Sequence, residues 1–239
     1  MSATFAVPGG RVVTLRIESR SGRVEVVAEP RDDVVVERGL ARSVEGDDAR
    51  FVLEVRGENG GSGRVDVRCP EGTNVIAGTA SGRVELRGRF GAVKVGTASG
   101  RIEIGAATRA DVRSLSGSIA ISACDEGCRA MSKSGKVTIG SAGSAKVATI
   151  SGRVVVGRVA SQADVKTASG RVEVTTDGGD DVRIKTVTGP VEVRVPPGAR
   201  PDARLRSLKS RTCCACETGD DFSIDVASLS GSIDVVPET

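Results

Sequence analysis

The chain has 239 residues (24.5 kDa), enough for one large domain or two small ones, and its 34 basic and 31 acidic residues give no bias toward nucleic acid or an anionic ligand. It contains 31 Gly, only 4 Phe and no His, Trp or Tyr. The absence of histidine removes imidazole bases, Ser-His-Asp and Cys-His catalysis and His metal ligands, and the scarcity of aromatics removes the stacking platforms of sugar- and single-strand-binding surfaces.

The opening MSATFAVPGGRVV has no basic start, apolar run or small-residue cleavage site, and no segment approaches the ~18 consecutive apolar residues of a membrane helix. A cytoplasmic chain without membrane insertion is the expectation, with Cys69, Cys124, Cys128, Cys213, Cys214 and Cys216 as reduced thiols. Residues 1–57 hold alternating strands at Val13/Leu15/Ile17, Val24/Val26, Val34/Val36 and Phe51/Leu53/Val55, irregularly spaced and interrupted by Arg31-Asp32-Asp33 and Glu45-Gly46-Asp47-Asp48. They are expected to form an N-terminal β-strand cap within the same domain, because the open end of stacked strands is a sticky edge.

From residue 58 to 239 a repeat governs the sequence. A Ser-Gly-basic-apolar tetrad recurs at Ser81-Gly82-Arg83-Val84, Ser99-Gly100-Arg101-Ile102, Ser134-Gly135-Lys136-Val137, Ser151-Gly152-Arg153-Val154 and Ser169-Gly170-Arg171-Val172. Looser copies surround Gly117, Gly189 and Gly231, and a coil also starts at Gly63. The series Gly82, Gly100, Gly117, Gly135, Gly152, Gly170 and Gly189 advances by a nearly constant step. The gap from Gly189 to Gly231 is twice as long or slightly more, and a degenerate coil (Ala203, Leu205, Ser207, Leu208, Ser210) is expected midway, with Pro196-Pro197-Gly198 as an inserted turn.

Within each unit the apolar positions alternate, as in Val154/Val156 and Ala163/Val165, giving two short strands. A further small or apolar residue two before the glycine (Leu115, Ile150, Val187, Leu229) suggests a third. A unit this short cannot bury its own apolar face, so the units stack. The fold class is all-β: a single-stranded parallel β-solenoid of about ten coils of 17–21 residues with the N-terminal cap. Glycine at the corner is explained by a positive φ where the chain turns to the next face.

Three sets of positions are read as facing out or carrying chemistry. Basic residues after the glycines run beside acidic ones two further on (Arg83/Glu85, Arg101/Glu103, Arg171/Glu173) and neutralise them, except in the middle coils. There Lys133, Lys136 and Arg153 form a basic patch suited to an anionic partner. A hydroxyl ladder three before each glycine (Thr79, Thr97, Ser114, Ser132, Thr149, Thr167, Thr186, Ser228) is explained by corner hydrogen bonding, more simply than by ice binding. Cys124-x-x-x-Cys128 and Cys213-Cys214-x-Cys216 lie about five coils, roughly 24 Å, apart and share no metal site. Cys128 and Cys214 fall in inward columns and read as core. Asp180-Asp181 and Asp220-Asp221 are the acid pairs a carbohydrate-active β-helix enzyme would need, but they sit in Gly-flanked turns. No catalytic, cofactor or metal residue is assigned.

The Ser-Gly-x-Val-x-Val coils, the Pro196-Pro197-Gly198-Ala199 turn leading to Ala203-Arg204-Leu205-Arg206-Ser207-Leu208, and the final Ser230-Gly231-Ser232-Ile233 resemble the bacterial putative-adhesin, or toast-rack, family of β-strand-repeat domains. That resemblance implies a non-enzymatic scaffold whose flat faces meet an unknown protein partner. In coil length the chain is also similar to bactofilins, which implies the alternative of a self-assembling cytoskeletal element. The final strand, Ile233 to Val236, is followed by Pro237, which is expected to blunt an otherwise open end and so permit a homodimer but not a filament.

Overall fold

The computed structural model describes residues 2–7, 9, 11–44 and 50–238, so the insertion Glu45-Gly46-Asp47-Asp48 and Thr239 lie outside the described residues. The chain divides into two compact units, Met1–Ala123 and Cys124–Thr239. The first holds β1 (Ala3–Ala6), β2 (Val12–Ser19), β3 (Val24–Glu29), β4 (Asp33–Arg38) and β5 (Leu40–Val44). It continues with β6 (Arg50–Arg56), β7 (Val65–Pro70), β8 (Asn74–Thr79), β9 (Val84–Thr97) and β10 (Ile102–Ser114). The division falls within β11 (Ile119–Ser134). The second unit holds β12 (Val137–Ser151), β13 (Val154–Val159), β14 (Ala163–Ser169), β15 (Val172–Thr176) and β16 (Val182–Thr188). It ends with β17 (Val191–Val195), β18 (Asp202–Ser207), β19 (Thr212–Cys214), β20 (Ser223–Ser230) and β21 (Ile233–Pro237).

Each unit is a parallel β-solenoid. In the second, Val137, Val154, Val172 and Val191 stack in register on one face, and Ala145, Ala163 and Val182 on the other. In the first, Ile102 stacks on Val84 and Val112 on Val95. All of these side chains are buried, as the period-2 alternation requires. A third inward column lies at the corner opposite the glycines: Phe90 and Ala107 in the first unit, Ala142, Val159, Thr176 and Val195 in the second. The residues two before the glycines do not belong to the core. Leu115, Ile150, Val187 and Leu229 are 58%, 55%, 46% and 47% exposed, which corrects the expected third strand.

At the ends, spatial order departs from chain order. In the first unit β2 lies between β6 and β8, and β3 between β7 and β9, all parallel. Part of the segment 1–57, expected as a cap, is therefore a coil inside the stack. Antiparallel strands lie beyond the coil that covers it: β5 on β6, β4 on β7, and β1 on β4. In the second unit β20 lies between β16 and β18, and β21 between β17 and β19. The degenerate coil expected between Gly189 and Gly231 is instead terminal. The final strand, expected as a Pro-blunted edge, is interior; the open edges there belong to β18 and β19. The physical reason lies in the inward positions of the terminal coil: Thr212 and Cys214 stand opposite Ile233 and Val235, and the end of the stack leaves the polar Thr212 exposed instead of buried.

A Cβ placed on Gly117 would lie 1.8 Å from the carbonyl oxygen of Gly100, and one on Gly170 would lie 1.9 Å from that of Gly152. The same contact runs from Gly63 to Gly22 to Gly82, and from Gly189 to Gly231. Positive φ, the expected reason, holds at Gly135, Gly152, Gly170 and Gly189 but not at Gly82, Gly100 or Gly117. Close stacking is the constraint common to the column.

The hydroxyl ladder, read as outward, is buried: Ser114 is 6% and Thr167 6% exposed. In the first unit the glycine N–H donates to the hydroxyl, Gly82 to Thr79 at 2.9 Å and Gly117 to Ser114 at 3.0 Å. In the second the hydroxyl donates to the carbonyl two residues on, Thr149 to Ser151 at 3.2 Å and Thr167 to Ser169 at 3.1 Å. The corner peptide is turned over between the two forms, in step with the change in glycine φ. Corner bonding accounts for the ladder, and burial removes an ice-facing role.

Gly117→Ala should lower unfolding free energy by about 2–3 kcal/mol, the cost of overpacking a tight contact. Gly96→Ala, where a Cβ meets nothing within 4 Å, should change it by less than about 0.5 kcal/mol. Denaturant unfolding of the two variants checks this; equal effects would mean that stacking does not fix the corner glycine.

Candidate functional site

Charge is distributed differently along the Ser-Gly corners of the two units. In the first, the corner arginines are paired: Arg23 with Glu85 at 2.7 Å, Arg64 with Asp66 at 2.7 Å and Arg83 with Glu103 at 2.9 Å. Glu85 is only 2% exposed. Burial alone would raise its pKa, but the Arg23 hydrogen bond and the charges of Arg23 and Arg83 hold it below the ordinary carboxylate value. A lowered folded-state pKa stabilises the fold above the unfolded-state value of about 4.3, and this contribution is lost as pH falls through the folded-state value. Glu85→Gln should therefore cost about 1 kcal/mol at neutral pH, because Glu25 and Glu103 still pair with the half-exposed Arg23, Arg83 and Arg87, and should flatten the acid limb of stability below about pH 4. Urea unfolding across pH checks both.

In the first two coils of the second unit the neutralisation fails, because Thr138 and Val155 occupy the column that holds Glu85 and Glu103 in the first unit and Glu173 and Glu192 further along the second. Lys136 and Arg153 are exposed on adjacent coils, joined where the Val137 N–H donates to the Arg153 carbonyl at 2.9 Å. Lys133 is exposed across the same corner, two residues before Gly135. The three basic residues singled out in the sequence thus share one corner. The stacking adds Lys185, Arg206, Lys209 and Arg211, also exposed. Among the described residues none of these seven has a carboxylate partner, whereas Lys166 and Arg171 on the same corner lie 3.8 and 3.9 Å from Asp164 and Glu173. Residues 131–136, 148–153, 166–171, 185–190, 206–211 and 227–232 make up the six corners and contain nine basic residues and no acidic one.

Along the crest of this corner stands the apolar column two before each glycine, from which the sequence suggests a third strand. In spatial order it runs Ile150, Ala168, Val187, Leu229 and Leu208, with Leu208 78% exposed. The available signal was its position one residue past the buried Thr, since neighbouring strand residues point to opposite faces.

The other chemistry-bearing groups are occupied elsewhere. The Asp180 carboxylate accepts from the Ser161 hydroxyl, Asp181 accepts from Ser223, and Asp221 accepts from the Arg200 N–H at 2.8 Å, so these acids fasten turns between coils. Cys124 and Cys128 are buried, with the Cys124 thiol donating to the Gly127 carbonyl at 3.1 Å. A hydrogen bond with Cys124, together with burial, raises the Cys128 pKa, and burial pushes that of Cys69 up to about 11. Cys214, expected in the core, is in the inward register opposite Val235 yet exposed, because its coil ends the stack. Among the described residues no three Cys, Asp or Glu side chains converge as metal ligands. Thiol-specific labelling of the native chain should modify Cys213, Cys214 and Cys216 rapidly, and Cys69, Cys124 and Cys128 only after unfolding. Peptide mass mapping checks this, and rapid labelling of Cys128 would contradict it.

No protein-family model matches the sequence, and no curated protein matches it. Among solved structures the chain is similar to a putative adhesin from Bacteroides fragilis, with 11% identity, a TM-score of 0.46 and coverage of 98% of this chain and 96% of that one. It is similar to a putative adhesin from Parabacteroides distasonis, with 11% identity, a TM-score of 0.36 and coverage of 100% and 96%. A putative cell adhesion protein from Clostridium sporogenes matches with 10% identity, a TM-score of 0.24 and coverage of 100% and 99%.

Proposed function

We propose that the chain is a non-enzymatic β-solenoid scaffold that docks an anionic partner along the Ser-Gly corner of its second unit. The observation that carries this reading is the run of six corners with nine basic residues and no acidic one. A surface charge normally finds an opposite neighbour on a β-face, as the first unit shows, so the seven basic side chains of this strip without a carboxylate partner among the described residues are available to a ligand. Enzyme chemistry finds no support: the chain has no histidine, and Asp180, Asp181 and Asp221 are engaged in turns.

The alternative of a self-assembling filament requires two matching open ends. The parallel edges β18 and β19 are open, whereas the described end of the first unit carries antiparallel β1, β4 and β5. The open edge of the second unit permits a two-fold dimer through β18 and β19.

Immobilised poly-L-glutamate is a simple anionic probe. Arg153→Glu/Lys136→Glu/Arg211→Glu should weaken binding by about ten-fold or more, while Arg16→Glu/Arg42→Glu/Arg50→Glu, with the same change in net charge, should stay within about three-fold. Equal losses would show net charge alone to be responsible. Light scattering should report one or two chains at every concentration, and filaments of the full chain would favour the self-assembling alternative.

A further inference from the structure

Resting on the docking edge proposed above, we infer that its partner is the surface of an anionic lipid bilayer, with the Ile150–Val187–Leu229–Leu208 crest seated at the acyl boundary. Two independent features of the corner meet in that occupant. The first is the pairing of apolar and basic columns. The crest residues follow one another at about 4.8 Å, the spacing of stacked strands. Lys185 and Arg206 stand two positions before the crest on their coils, and Arg153 and Arg211 three after it. Apolar side chains in the interfacial region and Lys or Arg at the lipid phosphates are what holds a protein on an anionic membrane surface. The crest is a ridge and not a groove, so it enters a deformable phase without needing a matching cavity.

The second feature is the state of the backbone. Moving a chain segment toward hydrocarbon is costly unless its polar groups are already bonded. At the corners of Gly152, Gly170 and Gly189 they are. The Gly152, Gly170 and Gly189 N–H groups donate to the carbonyls of Ser169, Thr188 and Ser230 on the next coil, at 3.1–3.2 Å. The crest carbonyls of Ile150 and Ala168 accept from the Ser169 and Thr188 hydroxyls, each at 3.4 Å. The buried Thr149, Thr167 and Thr186 hydroxyls donate to the corner carbonyls of Ser151, Ser169 and Thr188. The corner of the first unit lacks the first feature: its crest positions include Ala80 and Ala98, and Arg83 is held by glutamates. A nucleic acid would match the basic columns but would leave the Ile, Val and Leu crest in water, with no aromatic side chain to stack a base.

Co-sedimentation of the full chain with vesicles of equal parts phosphatidylglycerol and phosphatidylcholine tests the inference. Binding should be at least about ten-fold stronger than to phosphatidylcholine alone and should weaken as salt is raised. Arg153→Glu/Lys185→Glu/Arg206→Glu should reduce it by about ten-fold or more. Ile150→Ser/Val187→Ser/Leu229→Ser, all at exposed positions, should reduce vesicle binding to a similar degree while retaining poly-L-glutamate binding. Circular dichroism confirms that both variants remain folded. Vesicle binding unchanged by the crest substitutions overturns the inference, as does tighter binding to duplex DNA. Retention of poly-L-glutamate without vesicle binding overturns the lipid assignment and spares the docking edge. Loss of both in the unmodified chain overturns both.

Discussion

In each coil of the stack, the carbonyl oxygen of one corner glycine lies where the side chain of the next coil's corner residue would begin. That contact decides which coils can be neighbours. The Cβ of Gly22 would meet the Gly63 oxygen at 2.0 Å, and that of Gly82 would meet the Gly22 oxygen at 2.1 Å. The coil carrying Ser21-Gly22-Arg23-Val24 is therefore held between two glycine corners that lie next to each other in the repeat count. In the second unit Gly231 meets Gly189 in the same way, and the coil with Ser210 lies at the end of that unit. Burial of Val and Ile drives the stacking, and the coil with Thr212 and Cys214 in its inward positions loses least by standing at an end.

The repeat itself was legible because period-2 alternation and a nearly constant step between corner glycines leave little choice of fold. The order of stacking was not, because counting steps along the chain assumes that neighbours in sequence are neighbours in space. Ser21-Gly22-Arg23-Val24 displays the full tetrad, and the irregular spacing of the strands around it hid its membership. Two adjacent columns were misassigned by polarity. Thr149 and Thr167 are polar yet buried, since their hydroxyls bond the corner, whereas Ile150 and Val187 are apolar yet exposed. Side-chain character predicts direction well in mid-strand; at a tight corner the backbone's own hydrogen-bonding needs take precedence.

The docking edge follows from the same geometry. Stacking converts a single residue change per coil into a column, so Thr138 and Val155, standing where the first unit has Glu85 and Glu103, leave Lys136 and Arg153 without a carboxylate partner. Lys133, Lys136 and Arg153 were visible in the sequence as an interruption of the charge pattern. Lys185, Arg206, Lys209 and Arg211 join them only once the terminal coil is placed beside the Gly231 coil, and the crest becomes apparent only once its direction is known.

Amide hydrogen exchange tests the stacking order most directly, because protection follows spatial burial and not chain position. If the corner glycines set the neighbours, β3 and β21 should be protected as strongly as β13 and β15, despite lying near the chain termini. β18 and β19, further inside the sequence, should exchange rapidly along their open edge. Protection that rises and falls in chain order, with β19 slow and β21 fast, would contradict the account.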